Sequence, residues 1–564
     1  MCSAHRLALT CAVAQRLVRC GAWVVFAASW LVVGPAMGQS LPADRPPKLV
    51  IQLVLGGMPP SALVRAWNNF EPRGIPLLRA QGVECIAASY GHLLGNTPSG
   101  LATIASGTTP DTHGVSASKW YDHITNEPQS LIADKVCGAV GDSYNDYNVS
   151  PQKLLVATLA QAWRAAFPQS HIYSMSLSPL PAILLAGRAA NAALWMNEKT
   201  GHFVTSTYYC DTLPQFVTQF NRNGVAAMYL KQPWQPAKRS HAYASLLMRN
   251  SPLQDASQFD DPKFSIPATT ISIGPQYAKL ATMPRGNTLL RDLLVAAIEG
   301  DRLGRNAEPD LLSVYFSPFE NIATLYGPES MQYEDALFRF DAELAQLLDY
   351  LNATVGKKQY LLVLTSAYAA SPSVEYLQAW RIPSGQFNPD RALFLLNSYL
   401  RARYGVTDLV RGHAGQQFYL NRPLIEKHSL SLSSLGEQAA QFLQDMAGVS
   451  AAYPANILQW GGGARSRAQR AASNFHPKRS GDVVVDLLPG WSVVSERFPT
   501  AKNGESSYDM HVPLFFFGWK LGPRRVVHSV APCDIAPTIC HLMQIAPPNA
   551  VTGQPIEGVA DWDR

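Results

Sequence analysis

Residues 48–61 read KLVIQLVLGGMPPS. An apolar, β-branched run from Lys48 to Leu55, broken only by Gln52, stops at Gly56 and Gly57, and Pro59 and Pro60 close the segment. A run this continuous reads as a strand buried on both faces, the kind found in parallel sheets. Ligands of open α/β sheets sit beyond the carboxyl ends of the strands. The two glycines are therefore either a cradle for a ligand or a vacancy.

Four further segments share the pattern: Ile172–Leu177, Leu311–Phe316, Tyr360–Thr365 and Pro513–Gly518. Between Leu311–Phe316 and Tyr360–Thr365, Leu337, Phe340, Leu344, Leu347, Leu348 and Leu351 recur at helical spacing, with acids and Gln opposite them. Strand, helix and strand in that order form a βαβ unit, so the fold class expected is α/β, a largely parallel sheet flanked by helices. Residues 190–285 are rich in Tyr, Asn, Thr, Gln and Pro, and 371–474 are similarly mixed. Both read as cap-like insertions over the sheet, leaving 45–189, 286–370 and 475–550 as the three parts of the core.

The first 38 residues carry Arg6, Arg16 and Arg19, no acid, an apolar run from Ala22 to Val33 and then GPAMGQS. This is the layout of a secretory signal with cleavage near Gly38, and implies a periplasmic or secreted protein; an uncleaved anchor is the other reading. Removing the segment lowers the formal net charge from +5 to +2, which gives nucleic-acid binding no electrostatic support. Cys85, Cys137, Cys210, Cys533 and Cys540 remain, without zinc-ligand spacing. They read mostly as small buried residues, with one or two disulfides open to them in an oxidising compartment.

Chemistry is sparse where it is expected. The four strand ends after Leu55, Leu177, Phe316 and Thr365 offer one carboxylate, Glu320, and no histidine. In HLLGNTPSGLATIASGTTPDTHGV, from His92 to Val115, Thr97 and Pro98 read as the cap and first residue of a small-residue helix. The Thr97 hydroxyl is a candidate nucleophile, though a hydroxyl without a base or metal is more often only a cap. His113 reads as a turn brace, and His511 in YDMHVPLFFFG as a ligand or a near-core imidazole. Lys478, Arg479 and Asp482 read as a solvated turn.

Taken in order, KLVIQLVLGGM, SGTTPDTHGV with KWYD, LPAILLAGRAANAALW with TGHFVTSTYY, FSPFENIATLYGPES, KRSGDVVVDLLPGW, YDMHVPLFFFG and DIAPTI resemble the alkaline phosphatase superfamily. The branch is that of type I phosphodiesterases and nucleotide pyrophosphatases, and within it the chain is most similar to secreted bacterial phosphate-irrepressible alkaline phosphatases. The resemblance implies two zinc ions, a Thr or Ser nucleophile and a basic phosphate clamp. Carried over, the nucleophile falls on Thr97 and the last zinc histidine on His511. The zinc aspartate of the first strand falls on Gly56, and the phosphate-holding asparagine near Ser118. The clamp lysine and arginine fall on Ser178 and Leu180. The Asp and His of one zinc segment fall on Glu320 and Thr324, and the Asp-His pair of another on Ala367 and Tyr368.

The resemblance thus implies a scaffold kept while its site is substituted: no cofactor, or at most one weak zinc held by Glu320 and His511. The function expected is that of a pseudoenzyme acting by binding. An active metal-dependent phosphatase with a rebuilt site, helped by His92 or Asp534, is the alternative. A module for an envelope protein or glycan partner, using the aromatics of 190–285, is the third reading.

Overall fold

The computed structural model describes residues 46–142, 147–239, 242–243, 275–461, 467–494 and 510–561. The expected secretory leader lies outside the described residues.

All five expected strands form, and all join one ten-stranded sheet. Its order is Arg524–Val526, Val83–Cys85, Leu514–Gly518, Tyr360–Ser366, Leu49–Leu55, Asp310–Phe316, Ile172–Ser176, Ala192–Met196, Phe203–Ser206 and Ala139–Val140. The middle five, Tyr360–Ser366 through Ala192–Met196, run parallel. Leu514–Gly518 and Phe203–Ser206 flank them antiparallel. Leu49–Leu55 sits at the centre and is buried along its whole length, as its unbroken apolar run requires. Gln52 is tolerated there because its Oε1 accepts a 2.9 Å hydrogen bond from Ser313 Oγ, its register partner on the next strand.

The helix of the βαβ unit spans Met331–Leu351, capped by Ser330, whose side chain accepts from the Tyr333 N–H. Its leucines and Phe340 are buried as expected and Gln346 and Asp349 are exposed, but three of its acids, Glu334, Asp335 and Asp341, are buried too. Asp335 accepts hydrogen bonds from Trp234 Nε1, the Ala237 N–H and the Tyr243 hydroxyl, each at 2.6 Å. Asp341 accepts from the N–H groups of Glu71 and Ile75 at 2.5 and 2.6 Å. These acids anchor neighbouring chain, because a buried carboxylate persists only where donors surround it.

Two boundaries differ from the expectation. Residues 190–285 open with two strands of the central sheet, Ala192–Met196 and Phe203–Ser206, instead of lying over it. Of the described Trp and Tyr side chains there, Trp195, Trp234 and Tyr243 belong to the core, whereas Tyr208, Tyr209, Tyr229 and Tyr277 are partly exposed. The second insertion carries its own four-stranded antiparallel sheet, ordered Val410–Ala414, Gln417–Leu420, Val483–Leu487 and Val449–Pro454. The helices Pro389–Tyr404 and Leu432–Gln444 share a separate apolar core with it. Val483–Leu487 thus leaves the main core to complete the second sheet. The apolar VVV run could not distinguish the two destinations.

Candidate functional site

The site begins with backbone. The helix Thr97–Ser106 is buried at every residue. Its cap is Asn96 and not Thr97: Asn96 is extended and its Oδ1 accepts from the Ser99 N–H at 3.0 Å, which frees the Thr97 hydroxyl for other contacts. Gly100 lets this helix lie against the chain after Tyr360–Ser366. A methyl group there would stand 1.7 Å from the Ala367 carbonyl oxygen.

Thr97 Oγ1 donates to Glu320 Oε1 at 2.7 Å and lies 3.0 Å from the Tyr315 hydroxyl. The Tyr315 hydroxyl donates in turn to Glu320 Oε2 at 2.6 Å. Glu320 belongs to the helix Ser317–Tyr326, which starts directly beyond Asp310–Phe316. Burial, and then the Glu320 charge, hold the Tyr315 phenol well above its ordinary pKa, so it stays a donor. The result is a closed triangle in which one carboxylate receives two hydroxyls.

That triangle explains the glycines. A Cβ at Gly56 would lie 2.8 Å from the Tyr315 hydroxyl oxygen and 2.8 Å from Glu320 Cβ. Gly57, at φ +64°, needs its left-handed backbone, and a Cβ there would lie 3.0 Å from the Tyr368 hydroxyl oxygen. The space beyond the strand is filled by two tyrosines, so the sequence reading of a vacancy is corrected. Ser366 ties the neighbouring strand end in place: its Oγ accepts from the Met58 N–H at 2.8 Å, and its carbonyl from the Tyr90 hydroxyl at 2.9 Å.

The remaining positions divide. Ser118, Ser178, Glu320, Thr324 and Tyr368 line one cleft of about 620 Å³, together with Asn96, Pro98 and Lys119. Its other wall comes from the second core through Asn388, Asp390, His413 and Gln416. His413 Nε2 and Asp390 Oδ1 are 3.0 Å apart. Thr324 Oγ1 donates back to the Glu320 carbonyl at 2.8 Å, a bond internal to the helix. Leu180 packs against the main core and does not line the cleft. Ala367 is buried, its N–H donating to the Leu55 carbonyl at 3.0 Å. His511 is exposed, bridges to Ser89 through the backbone and is not part of the cleft lining.

The proposed helpers, His92 and Asp534, do not line the cleft. His92 is buried against Tyr90, with ring centroids 5.1 Å apart, and burial followed by the Arg470 charge lowers its pKa to about 3. Asp534 holds a turn, accepting from the N–H groups of Ala531 at 2.8 Å and Gln554 at 2.9 Å. His113 braces its turn: its Nδ1 accepts from the Val115 N–H at 3.1 Å, and its Nε2 lies 3.2 Å from Thr103 Oγ1. Of the turn expected to be solvated, Lys478 is exposed but Arg479 and Asp482 are buried. The Arg479 guanidinium lies 4.5 Å from the Trp120 ring centroid and donates to the carbonyls of Gly114 and Lys153 at 3.3 and 2.6 Å. Asp482 receives Arg422 Nη2 at 2.7 Å and the Leu420 N–H at 2.8 Å.

Sequence reasoning missed Tyr315, Asn388, Asp390 and His413. Tyr315 was readable only as strand core. A signal existed in its pairing across the sheet with Val54, one residue short of the Leu55–Gly56 end.

This fold, with one strand-end cleft between a parallel sheet and a second subdomain, defines a class. Residues 50–511 match the model of the type I phosphodiesterase / nucleotide pyrophosphatase family, and the chain belongs to that family. It is 27% identical over 533 residues to alkaline phosphatase PafA of Elizabethkingia meningoseptica, covering 94% of this chain and 97% of that one. It is 26% identical to alkaline phosphatase PhoV of Synechococcus elongatus over 90% of this chain and 92% of the relative. A Myroides odoratus protein named calcium-transporting ATPase is 29% identical over 91% of this chain and 94% of its own length. The crystal structure of wild-type PafA superposes with a TM-score of 0.83 at 25% identity, over 91% of this chain and 99% of that one. Among the described residues of this chain, no helix is long and apolar enough to cross a membrane.

Among the described residues, the donors do not fit the zinc implied by the family. Structural and catalytic zinc sites take at least three protein ligands from Cys, His, Asp or Glu. Gly56 offers no donor, and Tyr315 is a protonated phenol. Among the described residues no three His, Cys, Asp or Glu side chains gather within reach of one ion.

Proposed function

We propose that this chain is a secreted member of its family that has exchanged metal-dependent catalysis for binding. In this reading Thr97 stands at the nucleophile position, and Gly56, Ser118, Ser178, Leu180, Thr324, Ala367 and Tyr368 replace metal and phosphate-holding groups. Glu320 and His511 are the ligand positions that remain. The observation that carries it is the triangle of Thr97, Glu320 and Tyr315 above Gly56: a tyrosine hydroxyl occupies the place where a metal-binding side chain from the first strand would enter.

The chemistry follows from the donor set. An alcohol oxygen near pH 7 needs a metal or a matched base to become a nucleophile. Glu320 already accepts two hydroxyls, and its carboxylate repels an approaching phosphate. No arginine lines the described cleft to stabilise charge developing on the phosphorus oxygens. The relatives named alkaline phosphatase favour the other reading, a working hydrolase with a rebuilt site. That reading needs a third ligand beside Glu320 and His511, and the absence of His92 and Asp534 from the described cleft lining counts against it.

The test is turnover of an aryl phosphate and an aryl phosphodiester by the purified chain with added zinc, beside its Thr97→Ala variant. The proposal expects equal background rates from both. A robust rate abolished in Thr97→Ala would overturn it.

A further inference from the structure

The cleft that once suited a phosphate ester is still large, and its lining says what it now takes. We infer that it binds a neutral, polyhydroxylated ligand, a short saccharide, and discriminates against phosphorylated ones. The inference rests on the proposed binding role and names the ligand class of that same site.

Three features carry it. The first is size: about 620 Å³ lies within the range of roughly 300–1,000 Å³ typical of small-molecule sites. The second is the balance of donors and acceptors. Glu320 receives one hydroxyl on each oxygen, and each carboxylate oxygen can accept another hydrogen bond. On the facing wall, His413 Nε2 meets Asp390 Oδ1, and His413 Nδ1 is buried without a partner. Ser317, also in the lining and 5% exposed, has a buried Oγ with no partner. The acceptors open to the cleft are the carboxylates of Glu320 and Asp390, and they call for a ligand that brings donors. A sugar hydroxyl brings one each, whereas a phosphate dianion brings none.

The third feature is charge. Glu320 and Asp390 place two carboxylates in the lining against Lys119 and an imidazole already paired with Asp390. An incoming dianion meets a carboxylate at the base of the cleft, and in a partly desolvated site that repulsion is weakly screened. A neutral ligand avoids it. Asn and Gln amides on both walls and the Tyr368 ring supply the orienting contacts and apolar face that a sugar ring uses.

The experiment is titration calorimetry on the chain without its leader. The neutral probes are maltose, cellobiose and N,N′-diacetylchitobiose; the anionic probes are glucose 6-phosphate and inorganic phosphate. At least one neutral disaccharide should bind, and glucose 6-phosphate should bind at least tenfold more weakly than it. Glu320→Gln should weaken the disaccharide about tenfold and narrow the gap to glucose 6-phosphate, the loss of one charge-assisted hydrogen bond. Should Glu320→Gln disturb the triangle, Ser118→Leu obstructs the cleft without touching it and should also remove binding. Binding of none of the disaccharides, or tighter binding of either anion, overturns the inference. Phosphate bound without turnover would refute only the ligand class, whereas turnover lost in Thr97→Ala would refute the binding role itself.

Discussion

Two sides of one site have different histories written in their side chains. On one side, the helix Thr97–Ser106 keeps everything its docking needs: the Asn96 cap, Pro98, and Gly100 pressed against Ala367. On the other side, beyond Leu49–Leu55 and Tyr360–Ser366, glycines face tyrosines, and hydroxyls stand where charged ligands are implied by the family resemblance. The docking side is constrained by backbone contacts that tolerate no substitution. The tyrosine side is constrained only by volume and hydrogen bonding, and on the proposed reading glycine plus tyrosine there replaces an acid plus a metal. Scaffold and chemistry are therefore separable at this site.

The sharpest way to break that comparison is at Gly100. Gly100→Ala should destabilise the fold by about 3 kcal/mol, since the added methyl meets backbone that cannot move aside. The midpoint of urea unfolding measures it, and an unchanged midpoint would show that the docking side is as plastic as the other.

At Gly56 a smaller cost, about 2 kcal/mol for Gly56→Ala, is expected, because one of its close neighbours is a hydroxyl at the end of a side chain. Tyr315→Phe should relieve part of it. A double-mutant cycle between the two should show coupling of about 1 kcal/mol. Additive losses would mean that Gly56 and Tyr315 are not a complementary pair.

Thr97→Ala removes one of two donors to Glu320 and should cost about 1.5 kcal/mol, the lower end for a hydrogen bond to a charged group. Unfolding at neutral pH checks this, and a gain in stability would contradict the triangle.

The smallest effect expected is on pH dependence. Glu329, which accepts from the Ser373 N–H on the segment after Tyr368, has its pKa raised to about 7, chiefly by burial. A raised acid binds its proton more tightly in the folded chain. Its contribution is therefore complete below about pH 4.5 and is lost as pH rises through about 7. Glu329→Gln should recover part of that loss at pH 8 and nothing at pH 4. Thermal unfolding at the two pH values reads the difference.

Much of the fold was legible because continuous apolar runs have few uses. Leu49–Leu55 and Tyr360–Ser366 can only be buried strands, and the leucine spacing of Met331–Leu351 only a helix. Val483–Leu487 was legible as a strand but not as a strand of the second sheet, since local pattern carries no partner. The site was read through the family resemblance, which puts ligand positions at Gly56, Ala367 and Tyr368. What filled the gap was not readable, because Tyr315 inside a strand looks like any core aromatic until its hydroxyl is seen 2.6 Å from Glu320. Arg479 misled for the opposite reason. A basic turn defaults to solvent, and only the Trp120 ring and two carbonyls beneath it reveal a buried brace.

The central claim, that tyrosine hydroxyls have displaced the metal chemistry, is tested most directly by zinc content. The purified chain should be loaded with excess zinc, dialysed against metal-free buffer and measured by elemental mass spectrometry beside its Tyr315→Phe variant. The account predicts far less than one zinc per chain in both. Retention of one or two zinc ions per chain would contradict it.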